Sequence, residues 1–457
     1  LTSEQQGRRV HFQIVDSNPD GTPIQEEVSN FQYKSLEDSL KGEILYFRKV
    51  IGKGGEFPFD REGQPLEQAA YNALPTDEKG SIVATGEVVR VRFKAKVLLY
   101  KASPQFNPTQ PWDNAYWSEA HAVNKNAYET LLAYGYGLVE DYANIALEER
   151  NKEVVFSVIN SYPNKTASWD SGVRPGSESR GPANACPTWE FVKEFPMKDG
   201  RLYNDPLSAY NMTDEEFLQN YWENRDPRFD KSIVWNGKIY EVSGKTGKRQ
   251  YTALGIANEL DDFGINPNAN TNSTNLDRYT GFFIQKNSLL SLTQAEVEQY
   301  DLDYVLMRFA EVMLNYAETA NETGNPAVAL DILKQIRERA GIEAGADGNF
   351  GISASSREEI REAILAERNI EFCFEGHRFW DLRRLRMLDR LDGATKHGVE
   401  AIAITEEGSE MAISTARSLA DDYELIESDF KYSILQVPLS GVKESTLPDN
   451  YYFFPIQ

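Results

Sequence analysis

The chain has 457 residues, with 48 Lys or Arg against 71 Asp or Glu, a formal net charge of −23 with His neutral. That field repels phosphate backbones and anionic membrane surfaces, which excludes nucleic acid as a partner class. Apolar residues make up only 40% while aromatics reach 12%, so rings are available for surfaces as well as core, and two cysteines, Cys186 and Cys373, exclude a disulfide framework.

No apolar run approaches the ~20 residues of a membrane-spanning helix. The polar start, Leu1 to Gln6 without an initiator Met, is expected of a mature or trimmed chain. Next, Asp16, Asn18, Asp20 and Glu27, with Gly21 at the turn, match the spacing of an EF-hand calcium loop. The flanks oppose that reading. Val10, Phe12 and Ile14 alternate as a strand, and Pro23 stands where such a loop carries a β-branched residue or Leu. A polar hairpin is the stronger expectation, with calcium the alternative.

Leu36 to Val50 is a helix candidate. Glu87 to Tyr100 fits both periods: Val89, Val91, Phe93, Ala95 and Val97 alternate, while Val88, Val91, Ala95, Leu98 and Leu99 share a helix face. Pro111 to Leu132 reads as a helix with Trp112, Tyr116, Ala120, Val123, Ala127 and Leu131 on one side. Between about Ser157 and Leu302 turn formers dominate, from Pro163-Asn164 and Gly181-Pro182 to the Asn-rich run 266–275. Ile233-Val234-Trp235 before Asn236-Gly237 predicts a hairpin. Long irregular segments in a compact protein carry function, so ligand contacts are expected in this third.

From Asp303, Val305, Phe309, Val312, Met313, Tyr316 and Ala320 recur at helical spacing. Asn325 then caps a second helix with Pro326 at its first position, and Gly341 stops it. The two form an antiparallel pair resembling a tetratricopeptide unit. Ser356 with Glu359 predicts a capping box opening a third helix. Gly376 breaks it, and Phe379, Trp380, Leu382 and Leu385 continue its apolar surface. Along this helix Glu367, Arg368, Glu371, Glu375, His377, Arg378, Asp381, Arg383 and Arg384 place both signs of charge together. Carboxylates beside a His can do acid–base work. A structural ion-pair network is the stronger reading, because Glu367 and Glu371 fall four apart on one face among arginines.

These same phrases carry a resemblance. Arg308-Phe309-Ala310-Glu311-Val312-Met313-Leu314-Asn315-Tyr316-Ala317-Glu318 and Phe374-Glu375-Gly376-His377-Arg378-Phe379-Trp380-Asp381-Leu382-Arg383-Arg384 resemble signatures of the SusD/RagB family. So do Lys41-Gly42-Glu43, Ala102-Ser103-Pro104-Gln105-Phe106-Asn107 and Lys152-Glu153-Val154-Val155-Phe156. Asn224-Arg225-Asp226-Pro227-Arg228, Thr280-Gly281-Phe282-Phe283 with Lys286, and Tyr452 to Ile456 follow in family order. Gln457 stands where the family has a second Pro. The resemblance implies a mostly α protein: a SusD-like α/α scaffold of tetratricopeptide-like helix pairs with a loop-rich ligand-binding region and a few short strands. One unit over 1–457 is expected, with scaffold at roughly 31–155 and 296–392 and the ligand region at roughly 156–295.

It also implies a surface-exposed outer-membrane lipoprotein that binds oligosaccharide without chemistry and delivers it to a SusC-like TonB-dependent transporter. The lipid anchor is an expectation from the resemblance, not from any residue here. A RagB-like peptide binder and a helical glycoside hydrolase with two carboxylates across a cleft are the rivals. Sugar rings stack their C–H faces on aromatics, so Tyr162, Trp169, Trp235 and Tyr240, set among turn formers, are the candidate ligand contacts. Trp112, Trp117, Trp189, Trp222 and Trp380 read as packing, and Cys373 as a small buried group. No catalytic residue and no metal site beyond the calcium loop is expected.

Overall fold

The computed structural model describes the backbone of Asp16–Ser17 and Pro23–Ile24, and residues 92–148, 151–256, 279–391, 396–436 and 452. The chain divides into two compact units, Leu1–Arg90 and Val91–Gln457. In the first, β1 (Asp16–Ser17) pairs antiparallel with β2 (Pro23–Ile24), Asp16 opposite Ile24. That pairing suits a hairpin. The other calcium candidates, Asn18, Asp20 and Glu27, lie outside the described residues, as do the helix expected at Leu36 to Val50 and the Asn-rich run.

The second unit is mostly helical. Residues 92–102 form helix α1, which settles the ambiguous Glu87–Tyr100 segment as helix where it is described. Helix α2 spans Tyr116–Ala133 and buries Trp117, Ala120, Asn124, Ala127 and Leu131; of the expected stripe Ala120, Ala127 and Leu131 are buried, while Trp117 and Asn124 take the places of Tyr116 and Val123. It starts later than Pro111, because Asn114 turns the preceding loop by donating to the carbonyls of Ala102 and Gln110, each at 3.0 Å. Strand β3 (Val154–Val158) follows, then several short helices, among them α3 (Pro227–Ser232) with Pro227 at its first turn and Asp226 capping the Arg228 N–H.

Strand β4 (Ile233–Val234) does not begin a local hairpin. It pairs with β5 (Phe283–Ile284), fifty residues on, Ile233 opposite Ile284. The turn at Asn236-Gly237 instead opens a hairpin one step later, in which the Gln250 N–H donates to the Lys238 carbonyl at 2.9 Å and the Tyr240 N–H to that of Lys248 at 2.7 Å. Burial explains the choice: Ile233, Val234 and Phe283 are fully buried, and the antiparallel partner β5 satisfies backbone groups there without solvent.

Strand β6 (Tyr304–Arg308) precedes helix α4 (Phe309–Glu322). The helix expected from Asp303 therefore starts six residues late. Tyr304 and Leu306 alternate outward as a strand, and β6 pairs antiparallel with β3, Val158 opposite Tyr304 and Val154 opposite Arg308. Val305 and Phe309 are spaced four apart, which satisfies both periods and misleads the helical count. Helix α5 (Pro326–Ala340) ends on Gly341 at φ 83°, and α6 (Arg357–Glu371) opens with the Ser356–Glu359 capping box. Helix α7 (His377–Arg384) follows Gly376, whose φ of 79° takes the left-handed turn that breaks α6 from α7. The pair α4–α5 is the expected stacked helical hairpin, and α6 packs against both of its helices.

All 14 residues of α4 are buried, including Glu311, Asn315, Glu318, Asn321 and Glu322. Such a helix is stable only when each polar group is matched. Glu318 receives Arg384 at 2.5 Å, Glu322 receives Arg361 at 2.8 Å, Asn315 receives Arg368 at 2.9 Å and Asn321 donates to the Arg357 carbonyl at 2.8 Å. α4 is the axis of the helical half.

The loop-rich third has its own aromatic core, built on Trp189, Phe217, Tyr221, Phe229, Trp235 and Phe282. Strand β7 (His397–Ala403), helix α8 (Ile413–Asp421) and strand β8 (Phe430–Gln436) complete it, with β7 and β8 antiparallel from His397–Gln436 to Ala403–Phe430. The crossing of this ladder over the Thr280-Gly281 turn needs glycine on both sides. A Cβ on Gly281 (φ 80°) would collide with the Val399 carbonyl oxygen, and one on Gly398 would stand 2.6 Å from the Thr280 Cα.

Candidate functional site

The charged phrases of the sequence meet in one place. Arg228 from α3 reaches Asp226 at 2.8 Å, Glu367 at 2.6 Å and Glu371 at 2.9 Å. Arg308, at the end of β6, reaches Glu153 at 2.7 Å, Glu371 at 2.6 Å and Glu375 at 2.8 Å. Arg337 holds Glu367 at 2.8 Å, Arg339 binds Glu153 at 3.0 Å and also Glu371, and Lys286 binds Glu375 at 2.7 Å. Five cations and five carboxylates thus form a continuous, charge-balanced network that is nearly dry.

Electrostatics follow from that balance. Burial opposes ionisation of Glu375, yet Arg308 and Lys286 outweigh it and hold its carboxyl down at about 2. Burial likewise opposes Glu371, and Arg339, Arg308 and Arg228 overcome it, holding the carboxyl well below the usual range. His377, stacked 4.6 Å from the Phe372 ring, is pushed down to about 3 by burial and by Arg368. A carboxylate pinned in its charged form by two or three guanidinium groups is a poor proton shuttle, and a neutral, packed His is a poor acid. The network ties β6, α3, α5, α6 and the Lys286 turn together as scaffold. Cys373 sits inside it, buried, with Sγ 3.6 Å from the Tyr142 hydroxyl.

The candidate rings separate by burial. Trp235 is 5% exposed, stacked on Phe229 at 4.8 Å with the Lys238 ammonium 4.5 Å from its centroid. Tyr240 is buried in a second cluster with Val234, Tyr279 and Phe283. Both serve the interior as placed, because no face of either ring is open to a ligand. Trp169 is half-buried and donates its indole N–H to the Lys286 carbonyl at 2.8 Å. Tyr162 is 50% exposed.

Tyr162 stands on a short hairpin. Ser161 and Lys165 exchange backbone bonds of 2.7 and 2.8 Å around Pro163-Asn164, a turn pair with a fixed φ and an αL-tolerant residue. The hairpin base is fixed to the β3–β6 ladder: the Asn160 N–H donates to Asp303 at 3.0 Å and its amide to the Leu302 carbonyl at 2.7 Å. Next in line is Tyr304, 49% exposed, opposite Val158, with Phe156 at 39%, Leu306 at 40% and Ile159 at 67%. Sequence periodicity assigned Tyr304 and Leu306 to a helix; their outward alternation follows from the strand pairing of β6, not from the continuous apolar run Tyr304 to Met307. Trp380, read from sequence as core, is 41% exposed, with Phe379 edge-on at 5.3 Å. Trp189 is buried and Trp112 and Trp222 partly so, as their packing role requires. Among the described residues no group of His, Cys, Asp and Glu is arranged to hold a metal ion, and no helix is long and apolar enough to cross a membrane.

A SusD family model matches residues 152–457, two thirds of the chain. The chain is 34% identical over 86 residues to SusD-like protein P38 of Formosa agariphila, an overlap of 18% of this chain and 17% of that protein. A SusD-like protein from Bacteroides fragilis superposes with a TM-score of 0.54 at 21% identity, covering 84% of this chain and 65% of that one. A SusD-like carbohydrate binding protein of the same species gives 0.55 at 18% identity, covering 80% and 61%. The chain thus spans less than two thirds of these relatives' lengths, and at such identity the structural likeness shows the fold. Five of the sequence phrases above deliver charged residues to the buried network: Glu153, Asp226 with Arg228, Lys286, Arg308 and Glu375. The chain belongs to the SusD family.

Proposed function

We propose that this protein binds an oligosaccharide at the bacterial cell surface without altering it and delivers it to a SusC-like TonB-dependent outer-membrane transporter. The observation that carries this reading is a set of individually exposed rings, Tyr162 on its hairpin and Phe156 and Tyr304 on the paired strands β3 and β6, near in sequence to the exposed Asn164 and Lys165. Rings receive the apolar faces of sugars, and amide and hydroxyl groups bind their hydroxyls. The likeness to a solved SusD-like carbohydrate binding protein supports it. The non-catalytic part is supported by the pinned state of Glu367, Glu371 and Glu375, whose charges are committed to arginines. Anchoring by a lipid belongs to the same proposal.

The net charge of −23 favours a second reading, in which basic peptides are steered to the surface. Affinity electrophoresis against a panel of neutral polysaccharides, run beside pull-down of basic peptides, separates them. Retardation by a glycan with no release of reducing ends supports the proposal. Peptide capture without glycan retardation supports the alternative, and steady release of reducing ends contradicts a non-catalytic role.

A further inference from the structure

A groove of about 440 Å³ lies between the Gly200–Asp205 turn and the segment from Gly351 to Ala363 that opens α6. A second concavity of about 330 Å³ continues it, sharing Arg201, Ile352, Ser353 and Ala354. Each volume falls in the range of small-molecule sites.

The walls are fixed before any ligand arrives. Arg337 donates to the carbonyls of Gly200 at 3.0 Å and Phe350 at 2.8 Å, tying the two loops together while Glu367 holds its Nε at 2.8 Å. The loops interlock so closely that a Cβ on Gly200 would collide with the Phe350 carbonyl oxygen, and one on Gly351 with that of Asp199. Preorganised walls spare a ligand the entropy of ordering them.

Charge and shape restrict the occupant. Arg201 is paired with Asp205 at 3.2 Å, Glu362 with Arg390 at 2.7 Å, and Glu359 is engaged in the α6 capping box. Among the described residues neither Glu358 nor Glu359 has a cationic partner, so the lining is mildly acidic overall. Its apolar parts, such as Leu202, Ile352 and Ala354, are small or aliphatic, with no deep pocket for a peptide's aromatic anchor. What remains is a mixture of donors and acceptors, from the Arg201 guanidinium and the Ser353 hydroxyl to the Glu358 carboxylate. Sugar hydroxyls, which donate and accept at once, match such a lining, whereas a purely anionic ligand does not.

We propose that this groove is a second carbohydrate site, holding a short stretch of neutral glycan by hydrogen bonding without ring stacking. The inference rests on the glycan-binding reading and adds a site separate in its residues from the Tyr162 face. Isothermal titration of the full chain with neutral hexasaccharides of α-glucan, β-glucan, xylan and mannan type tests it. Wild type takes up two ligands per chain. Ala354→Trp, which fills the groove from a loop position, reduces this to one, and Tyr162→Ala removes the other. Should Ala354→Trp not fold by circular dichroism, Glu358→Ala, at an exposed position, weakens one of the two sites at least five-fold. One ligand per chain in wild type, or two retained in the groove variants, overturns the groove site alone. No binding of any hexasaccharide overturns it together with the glycan reading.

Discussion

Arg308 grips Glu371 twice, donating Nη1 to the carboxylate at 2.6 Å and Nη2 to the same residue's backbone carbonyl at 2.6 Å. The bond pair locks the last turn of α6 to the end of β6, the strand that carries the exposed Tyr304. Removing one partner of a buried pair leaves an uncompensated charge, at a cost of about 3–5 kcal/mol. Arg308→Met is expected to lose that much in urea unfolding, with the three carboxylates Glu153, Glu371 and Glu375 left short of one cation. A loss below about 1 kcal/mol would show the network to be dispensable.

Acid should weaken the fold in two steps. The half-buried His377 stays neutral until about 3, whereas an unfolded His takes its proton near the ordinary value of 6.5. Its folded pKa is lowered, so the unfolded state binds more protons and stability falls as pH drops from about 6.5 to 3. Glu375 has its folded value depressed to about 2 against an ordinary 4.5, so its contribution is present above 4.5 and lost as pH falls from there to 2. The variant His377→Phe should flatten the thermal-stability profile between pH 6.5 and 5 and leave the steeper decline below pH 4.5. An unchanged slope across that upper window would remove His377 from the account.

The capping box of α6 offers a smaller, cleaner test. Ser356 accepts from the Glu359 N–H at 3.2 Å, and Glu359 accepts in return from the Ser356 N–H at 3.0 Å. Ser356→Ala is expected to cost about 1 kcal/mol by chemical denaturation.

Gly281 is held at φ 80° against the Val399 carbonyl. Gly281→Ala therefore combines backbone strain with collision, and a loss of about 2 kcal/mol or more is expected in thermal unfolding. A neutral effect would mean that β7 can shift to admit the methyl group.

How much of this was legible in the chain depended on whether local chemistry or a distant partner decided the outcome. Ser356 with Glu359, Pro326 at a first turn, and Gly341 announce helix ends because these signals act within one turn, whereas Asn325 stands at the N-cap without a side-chain cap bond. The charged run Glu367 to Arg384 read as an ion-pair network because the pairing is implied by both signs on one face. Its partners Arg228, Lys286 and Arg308 come from far away and could only be placed by the fold. The rings were harder. Trp235 and Tyr162 are both set among turn formers, yet one is stacked on Phe229 behind the β4–β5 pair and the other is lifted on a hairpin. Only the apolar Ile233-Val234 directly before Trp235 separates them locally, and its partner strand lies fifty residues away. Tyr304 was hidden by spacings that suit a helix and a strand equally.

That separation gives a paired prediction. Trp235→Ala removes a buried ring and is expected to cost about 3–5 kcal/mol of stability, with glycan affinity retained by the fraction that stays folded. A binding defect in folded Trp235→Ala would place the site near that ring instead.

The most direct measurement is the glycan affinity of Tyr162→Ala against wild type, by affinity electrophoresis and titration on the same panel. An exposed ring contributes little to stability, so the melting temperature should hold while affinity for the best-bound glycan falls about ten-fold or more, equivalent to about 1.4 kcal/mol. Equal affinity in the two proteins would contradict the Tyr162 ring as a place where ligand is held.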